Sequence, residues 1–184
     1  MKVKEANRRE IEARLKTMGD YVKIDYLLSC LKQPLDFDSR RFVLMRLAEL
    51  YEGRKMFLEA GKMMMGAAPI NTADKSKMAD FVRAAELFVK GGNFEAADIA
   101  FEKALSCGGE RDKWEMKQKK INYYKNQAEH YLQNDKRNSA MIAYEKLLSL
   151  NLTEGERRET QERLLGLYEK LGKIREFFNL KRAM

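Results

Sequence analysis

Few side chains in this sequence are of the kinds that perform catalysis, and none stands in a catalytic spacing. His130 is the single histidine among 184 residues. The sequence contains no His-Glu-x-x-His motif, no Gly-x-Ser-x-Gly motif and no phosphate-binding glycine loop. Cys30 and Cys107 are too far apart in sequence to form a Cys-x-x-Cys metal motif. We therefore predict that the chain is not an enzyme and has neither a metal site nor a cofactor.

Carboxylates are the recurrent polar candidates. Glu49, Glu86 and Glu129 each follow an alanine directly, at the same point of a similar apolar pattern. Three carboxylates brought to one surface would repel one another and attract a cation. Glutamate is also a good helix former, which explains its presence without any binding role. The spacing therefore leaves two interpretations open, a site for a basic partner and an ordinary solvated helix face.

The segments that must position these glutamates are predicted to be helices folded back in pairs. The clearest example is FVRAAELFVKGGNFEAADIAFEKAL, residues 81–105, where Gly91 and Gly92 interrupt two apolar stripes of helical period. The stripes are Phe81, Ala84, Ala85 and Phe88 before the break, and Phe94, Ala97, Phe101 and Ala104 after it. Alanines let two backbones approach closely, and the rings fill the space beside them.

The same pattern recurs along the whole chain. Counterparts of Ala97 fall at positions 24, 60, 140 and 177, at intervals of 36 to 43 residues, and the pattern also assigns Tyr21 and Ile174 to the core. Five hairpins at a near-constant period predict an all-α solenoid forming a single domain over residues 1–184. The expected hairpins cover residues 4–32, 39–68, 74–107, 113–150 and 154–184.

The individual copies resemble a known repeat family. The segments ADIAFEKAL and AMIAYEKLL are similar to the second helix of a tetratricopeptide repeat, and LAELY, AAELF and QAEHY are similar to the first. The resemblance covers nearly the whole chain. It implies a right-handed superhelix of about five helix-turn-helix hairpins, with a concave groove that binds a peptide or helix of another protein.

The resemblance also implies which side chains line that groove. They lie on one stripe of the first helix of three copies: Phe42, Met45, Glu49 and Glu52; Val82, Glu86 and Val89; Lys125, Glu129 and Leu132. The leading hypothesis is a non-catalytic scaffold for protein–protein interaction. Its partner is expected to be a basic, partly apolar segment of another protein, because the stripe combines apolar residues with the three glutamates.

A second, less favoured hypothesis is nucleic-acid binding, in particular to RNA. Cationic residues and the single tryptophan follow one another at the start of the predicted long helix over residues 113–134: Arg111, Lys113, Trp114, Lys117 and Lys120. Lysine and arginine would neutralise phosphates, and Trp114 would provide a surface for base stacking. The simpler interpretation is that Trp114 packs against the preceding helix.

Composition restricts the remaining classes. The formal charge is +8 and 35% of residues are charged, which permits attraction to anionic partners. No run of 18 apolar residues and no signal peptide occurs, so we expect a cytoplasmic protein that does not insert into membranes. A further hypothesis is self-association through Phe177, Phe178 and Leu180. No following hairpin is predicted that would cover these apolar side chains.

Overall fold

The computed structural model describes residues 4–184. Within that range the chain forms ten α-helices and one short 3-10 turn, Ala68–Ile70, and contains no strand. The helices are α1 Arg8–Lys16, α2 Asp20–Leu31, α3 Phe37–Gly53, α4 Phe57–Ala67, α5 Asp74–Lys90, α6 Phe94–Ser106, α7 Glu110–Gln133, α8 Arg137–Leu148, α9 Glu154–Lys170 and α10 Ile174–Ala183. The predicted all-α class is confirmed for the described residues.

The helices fall into two compact units. The first unit is Met1–Gly109, with α1 to α6, and the second is Glu110–Met184, with α7 to α10. In the first unit α3 packs on α4, α4 on α5 and α5 on α6, while α1 and α2 both pack on α3. In the second unit α8 packs on α7 and on α9, and α9 packs on α10.

One turn geometry closes four of the helix pairs. The residues Lys55, Gly92, Asp135 and Gly172 each adopt a positive φ, between 53° and 76°. The backbone N–H of the following residue then donates to a carbonyl five residues earlier, that of Tyr51, Phe88, Tyr131 or Tyr168, at 2.8 to 2.9 Å. This is a Schellman-type ending, which satisfies the last carbonyls of the first helix and reverses the chain. The second helix of each pair begins two residues after the positive-φ residue.

Only two of these four turns carry glycine. Glycine adopts positive φ without steric cost, and aspartate adopts it more readily than most residues. Gly92 was therefore visible in the sequence as a helix break. Lys55 carries no such signal, since an ordinary side chain in this region costs about 1–2 kcal/mol. The conformation of Lys55 is therefore seen only in the structure.

The core of the first unit consists of alanines against rings, as predicted for residues 81–105. Ala84, Ala85, Ala97 and Ala104 are fully buried, and Phe88 and Phe101 are buried beside them. The α4–α5 contact is closer still, because Gly61 lies directly against the ring of Phe88. A Cβ at residue 61 would lie 2.7 Å from Cε1 of that ring. The backbone of α4 therefore approaches α5 at a distance that only glycine permits.

The second unit is built from tyrosines and leucines around smaller residues. Tyr124 and Ala128 of α7 are fully buried, as are Ala140 and Ala143 of α8. Thr153 caps α9. It exchanges hydrogen bonds with Glu156 in a capping box, and those bonds to Thr153 lower the pKa of Glu156 below its ordinary value.

Two predicted core positions are wrong. Tyr21 is 87% exposed, and its ring lies 5.3 Å from the guanidinium of Arg54 instead of facing the core. Ile174 is 68% exposed, and α10, which packs on α9, has no buried residue among those described. Tyr21 lies in the first turn of α2 and Ile174 in the first turn of α10. In both helices the apolar period of the sequence continues beyond the residues that are buried.

The predicted long helix is present as α7. It has 24 residues, whereas α3, α5 and α9 have 17 each, so it is longer by about two turns. Its added length is largely polar. No helix within residues 4–184 combines the length and apolarity that crossing a bilayer requires.

We predict that Gly61→Ala destabilises the protein and that Gly66→Ala does not. Both substitutions add one methyl group inside α4, so the gain in helix propensity is the same. The methyl at residue 61 would press on the buried ring of Phe88, which typically costs about 1–3 kcal/mol. At residue 66 it would lie 3.6 Å from Leu44, an ordinary contact. Urea unfolding followed by circular dichroism measures the difference, and equal midpoints for the two variants would contradict the proposed close approach.

Candidate functional site

Two adjoining cavities lie among α1, α2 and α3 of the first unit. Their volumes are about 280 Å³ and 330 Å³, and they share Glu12, Arg46 and Glu49. The first has apolar walls of Leu15, Leu27 and Leu50, and the second has Phe42 and Met45. We call the two cavities together the α1–α3 groove. Three residues from the predicted stripe, Phe42, Met45 and Glu49, are therefore brought together around one concavity.

The ring of Phe42 has two guanidinium groups beside it. That of Arg8 lies 5.1 Å from the ring centroid, and that of Arg46 lies 5.8 Å away. Arg8 also pairs with Asp38 at 3.2 Å, and Arg46 pairs with Glu49 at 2.6 Å. Contact with a ring face and an ion pair together hold each cation over the groove. Phe42 thus organises the charged rim as well as contributing apolar area.

The rim of the groove carries both signs of charge. The cationic side chains are Arg8, Lys16, Lys23, Arg41 and Arg46, and the anionic ones are Glu12, Asp38 and Glu49. Glu12 makes no ion pair within the described residues. Arg41 pairs with Asp80 of α5 at 2.9 Å, while its Nε is buried without a hydrogen-bond partner. A rim with charges of both signs favours a ligand whose own charges are placed to match it, more than a ligand of a particular net charge.

The predicted stripe continues with Glu52 on α3 and Glu86 on α5, but both carboxylates form ion pairs with cations of the same chain. Arg83 donates to both carboxylate oxygens of Glu52, at 2.6 and 2.7 Å, and to Glu86 at 2.6 Å. Lys90 reaches Glu86 at 2.8 Å. Burial alone would raise the pKa of Glu86, but hydrogen bonds from Lys90 and Arg83 and their charges hold that pKa below its ordinary value.

The two valines of the stripe are buried. Val82 is 9% exposed and Val89 is 2% exposed, so both contribute to the core of the first unit and offer little area to a partner. Sequence spacing identified the correct face of α5 without showing how much of it the neighbouring helix covers. Arg83 was missed, although a basic residue three positions before Glu86, as Arg46 is before Glu49, is a recognisable pairing signal.

The remaining predicted residues belong to the second unit. Lys125 pairs with Glu159 of α9 at 2.8 Å, and this hydrogen bond raises the pKa of Lys125 despite partial burial. Glu129 and Leu132 are half-buried on α7. These residues lie in the second unit, whereas the α1–α3 groove lies in the first.

The cationic residues at the start of α7 differ in their contacts. Lys113 pairs with Glu110 at 2.5 Å, and Lys120 lies 5.9 Å from the centroid of the Tyr124 ring. Arg111 and Lys117 are exposed. Trp114 is 66% exposed, so the interpretation that it packs against the preceding helix is wrong.

Neither the histidine nor the acidic residues form a metal-binding group in the described part of the chain. His130 is exposed on α7 beside Asn134. Residues 4–184 contain no group of three or more histidine, cysteine, aspartate or glutamate side chains placed to hold a metal ion. On α10, Phe178 is exposed, whereas Phe177 and Leu180 are half-buried, and the two phenylalanine rings meet edge to face at 5.6 Å.

Comparison with known proteins identifies no family. No family model matches the chain, and no curated protein matches it. Among solved structures, the crystal structure of BtubC (BKLC) from P. vanneervenii is similar at 20% identity and a TM-score of 0.35. The alignment covers 95% of this chain and 75% of that chain. A likeness of that strength carries no argument about fold or function.

We predict that Arg83→Gln lowers stability at neutral pH by about 1 kcal/mol, allowing for solvent screening of the partly exposed guanidinium. A carboxylate with a lowered folded-state pKa stabilises the protein above its unfolded-state pKa, and that contribution is lost as pH falls through the folded-state pKa. The difference between the wild type and Arg83→Gln should therefore shrink between pH 7 and about pH 3.

The matched control is Arg46→Gln, which breaks an equivalent pair with the exposed Glu49. Its effect should stay below about 0.5 kcal/mol at both pH values. Urea unfolding of the three proteins at pH 7 and pH 3 tests the expectation. If the difference in stability between the wild type and Arg83→Gln is the same at both pH values, the lowered pKa of Glu86 does not depend on Arg83.

Proposed function

We propose that this chain is a non-catalytic scaffold that binds a helix or extended segment of another protein in the α1–α3 groove. The observation that carries the proposal is the groove itself, in which Leu15, Leu27, Leu50, Phe42 and Met45 form apolar walls beneath a charged rim. Apolar pockets surrounded by polar groups are the usual anchor sites for side chains of a bound protein segment.

We further propose that the hairpins within each unit stack as in a tetratricopeptide-like, right-handed solenoid. Two observations support this. The Schellman-type turns recur at the interval of the sequence repeat. Ion pairs also join successive first helices: Arg8 to Asp38, Arg41 to Asp80, and Arg83 to Glu52 in the first unit, and Lys125 to Glu159 in the second. Side-by-side first helices are the arrangement that presents a concave binding face.

The partner proposed for the groove is partly apolar and carries at least one basic residue. Glu12 of α1 and Glu49 of α3 line both cavities. Glu49 is held only by a solvent-exposed pair with Arg46, and pairs of that kind contribute between 0 and about 1 kcal/mol. A lysine or arginine of a bound segment could therefore replace Arg46 as its partner at small cost. Glu52 and Glu86 would remain with Arg83 and Lys90.

We predict that Met45→Glu weakens capture of the partner and that Met65→Glu does not. Each variant replaces a half-buried helical methionine with glutamate, but Met45 lines the groove and Met65 lies on α4, away from it. Burying an unpaired neutral polar group costs about 1–3 kcal/mol, and burying an ionised carboxylate against an apolar ligand costs more. The dissociation constant should therefore rise about tenfold or more for Met45→Glu.

The measurement uses the full chain as bait in extract from the native cell, with retained proteins identified by mass spectrometry. A retained protein is then titrated against the wild type, Met45→Glu, Met65→Glu and Glu49→Gln. Glu49→Gln should weaken binding severalfold if the bound segment is basic. A partner held equally by Met45→Glu and Met65→Glu, or no protein retained by the wild type above an untagged control, would reject the groove as the binding site.

A further inference from the structure

The single tryptophan of the chain lies exposed on a helix among cations. Trp114 is in the second turn of α7 and is 66% exposed, although tryptophan is usually well buried when a structural role is all it has. Arg111 and Lys117 lie one turn before and one turn after it on the same helix, and both are exposed. The indole ring therefore stands between two positive charges in contact with solvent.

The local charge of α7 is positive and only partly neutralised. Between Lys113 and Lys125 the helix carries five lysines and one glutamate, Glu115. Lys113 and Lys125 are held by Glu110 and Glu159. By contrast, Arg111, Lys117 and Lys119 form no ion pair in the part of the chain that the structure describes, and all three are exposed.

An exposed aromatic ring among unpaired cations fits a ligand that offers both flat rings and negative charge. Single-stranded nucleic acid does so, because an unpaired base can stack on indole while the phosphates on either side meet lysine and arginine. Double-stranded DNA does not fit equally well, since its bases are already stacked and unavailable to the ring. The extra two turns of α7 lengthen this surface beyond what the other first helices offer.

We propose that the face of α7 formed by Arg111, Trp114 and Lys117 binds single-stranded RNA, with one base stacked on Trp114. This surface belongs to the second unit, whereas the α1–α3 groove belongs to the first, so it can be tested independently of the scaffold function. Two phosphate contacts predict a modest salt dependence, with a slope of the log binding constant against log salt of about −1.4 for a single strand.

Because Trp114 is the only tryptophan, its fluorescence reports directly on this face. Titrating the full chain with a twelve-nucleotide oligouridylate at low salt should quench the emission, and raising the salt should reverse the quenching. With a fluorescein-labelled oligonucleotide, Trp114→Ala should weaken binding about tenfold, as measured by anisotropy. The double variant Arg111→Gln, Lys117→Gln should weaken binding and flatten the salt slope towards zero.

The matched control removes two exposed cations elsewhere, by Lys62→Gln and Lys75→Gln in the first unit. It should leave binding and quenching within about twofold of the wild type. The proposal is overturned if oligouridylate leaves Trp114 emission unchanged, if the control loses as much affinity as the α7 variant, or if heparin quenches Trp114 as strongly as RNA does. The last two results would show attraction of any polyanion to a basic protein.

Discussion

Close packing of small residues against aromatic rings is the interaction on which the rest of the structure depends. Gly61 against Phe88, and the fully buried alanines of α5 and α6 beside Phe88 and Phe101, bring helix backbones nearer than larger side chains would allow. Protein interiors are packed like crystals, so even one added methylene group at such a contact is felt. The spacing of the helices, and with it the width of any surface between first helices, follows from these contacts.

The surface charges divide into those that hold the fold and those that remain for binding. Arg83, Glu52, Glu86 and Lys90 form a partly buried cluster in which each charge has an opposite charge within hydrogen-bonding distance, except for the longer contact of 3.8 Å between Lys90 and Glu52. Charges satisfied in this way are costly to redirect towards a partner, because breaking a partly buried pair leaves a desolvated ion. Exposed pairs such as Arg46 with Glu49 contribute little and exchange readily. For this reason the proposed docking site includes only the first part of the glutamate stripe, around Glu49 on α3, and not the whole stripe.

The two proposed surfaces have different physical characters. The α1–α3 groove is concave, with apolar walls and charges of both signs, which suits insertion of side chains from a folded or folding segment. The α7 face is exposed to solvent, with one ring and unpaired cations, which suits a flexible polyanion with flat bases. A scaffold with both surfaces could hold a protein and an RNA at once, each on its own unit, without any catalytic residue.

The sequence by itself determined the helical class, the long α7 and the alanine–phenylalanine core of residues 81–105. These features depend on local periodicity and residue size, and both can be read directly from the sequence. It also indicated the glutamate stripe and the cationic start of α7. Only the tertiary structure decided which of those residues are available. Val82 and Val89 are covered by neighbouring helices, Glu86 is neutralised by Arg83 and Lys90, and Tyr21, Ile174 and Trp114 are exposed. Helical period shows which face a residue occupies, but exposure and pairing depend on residues that are distant in the chain and close in space.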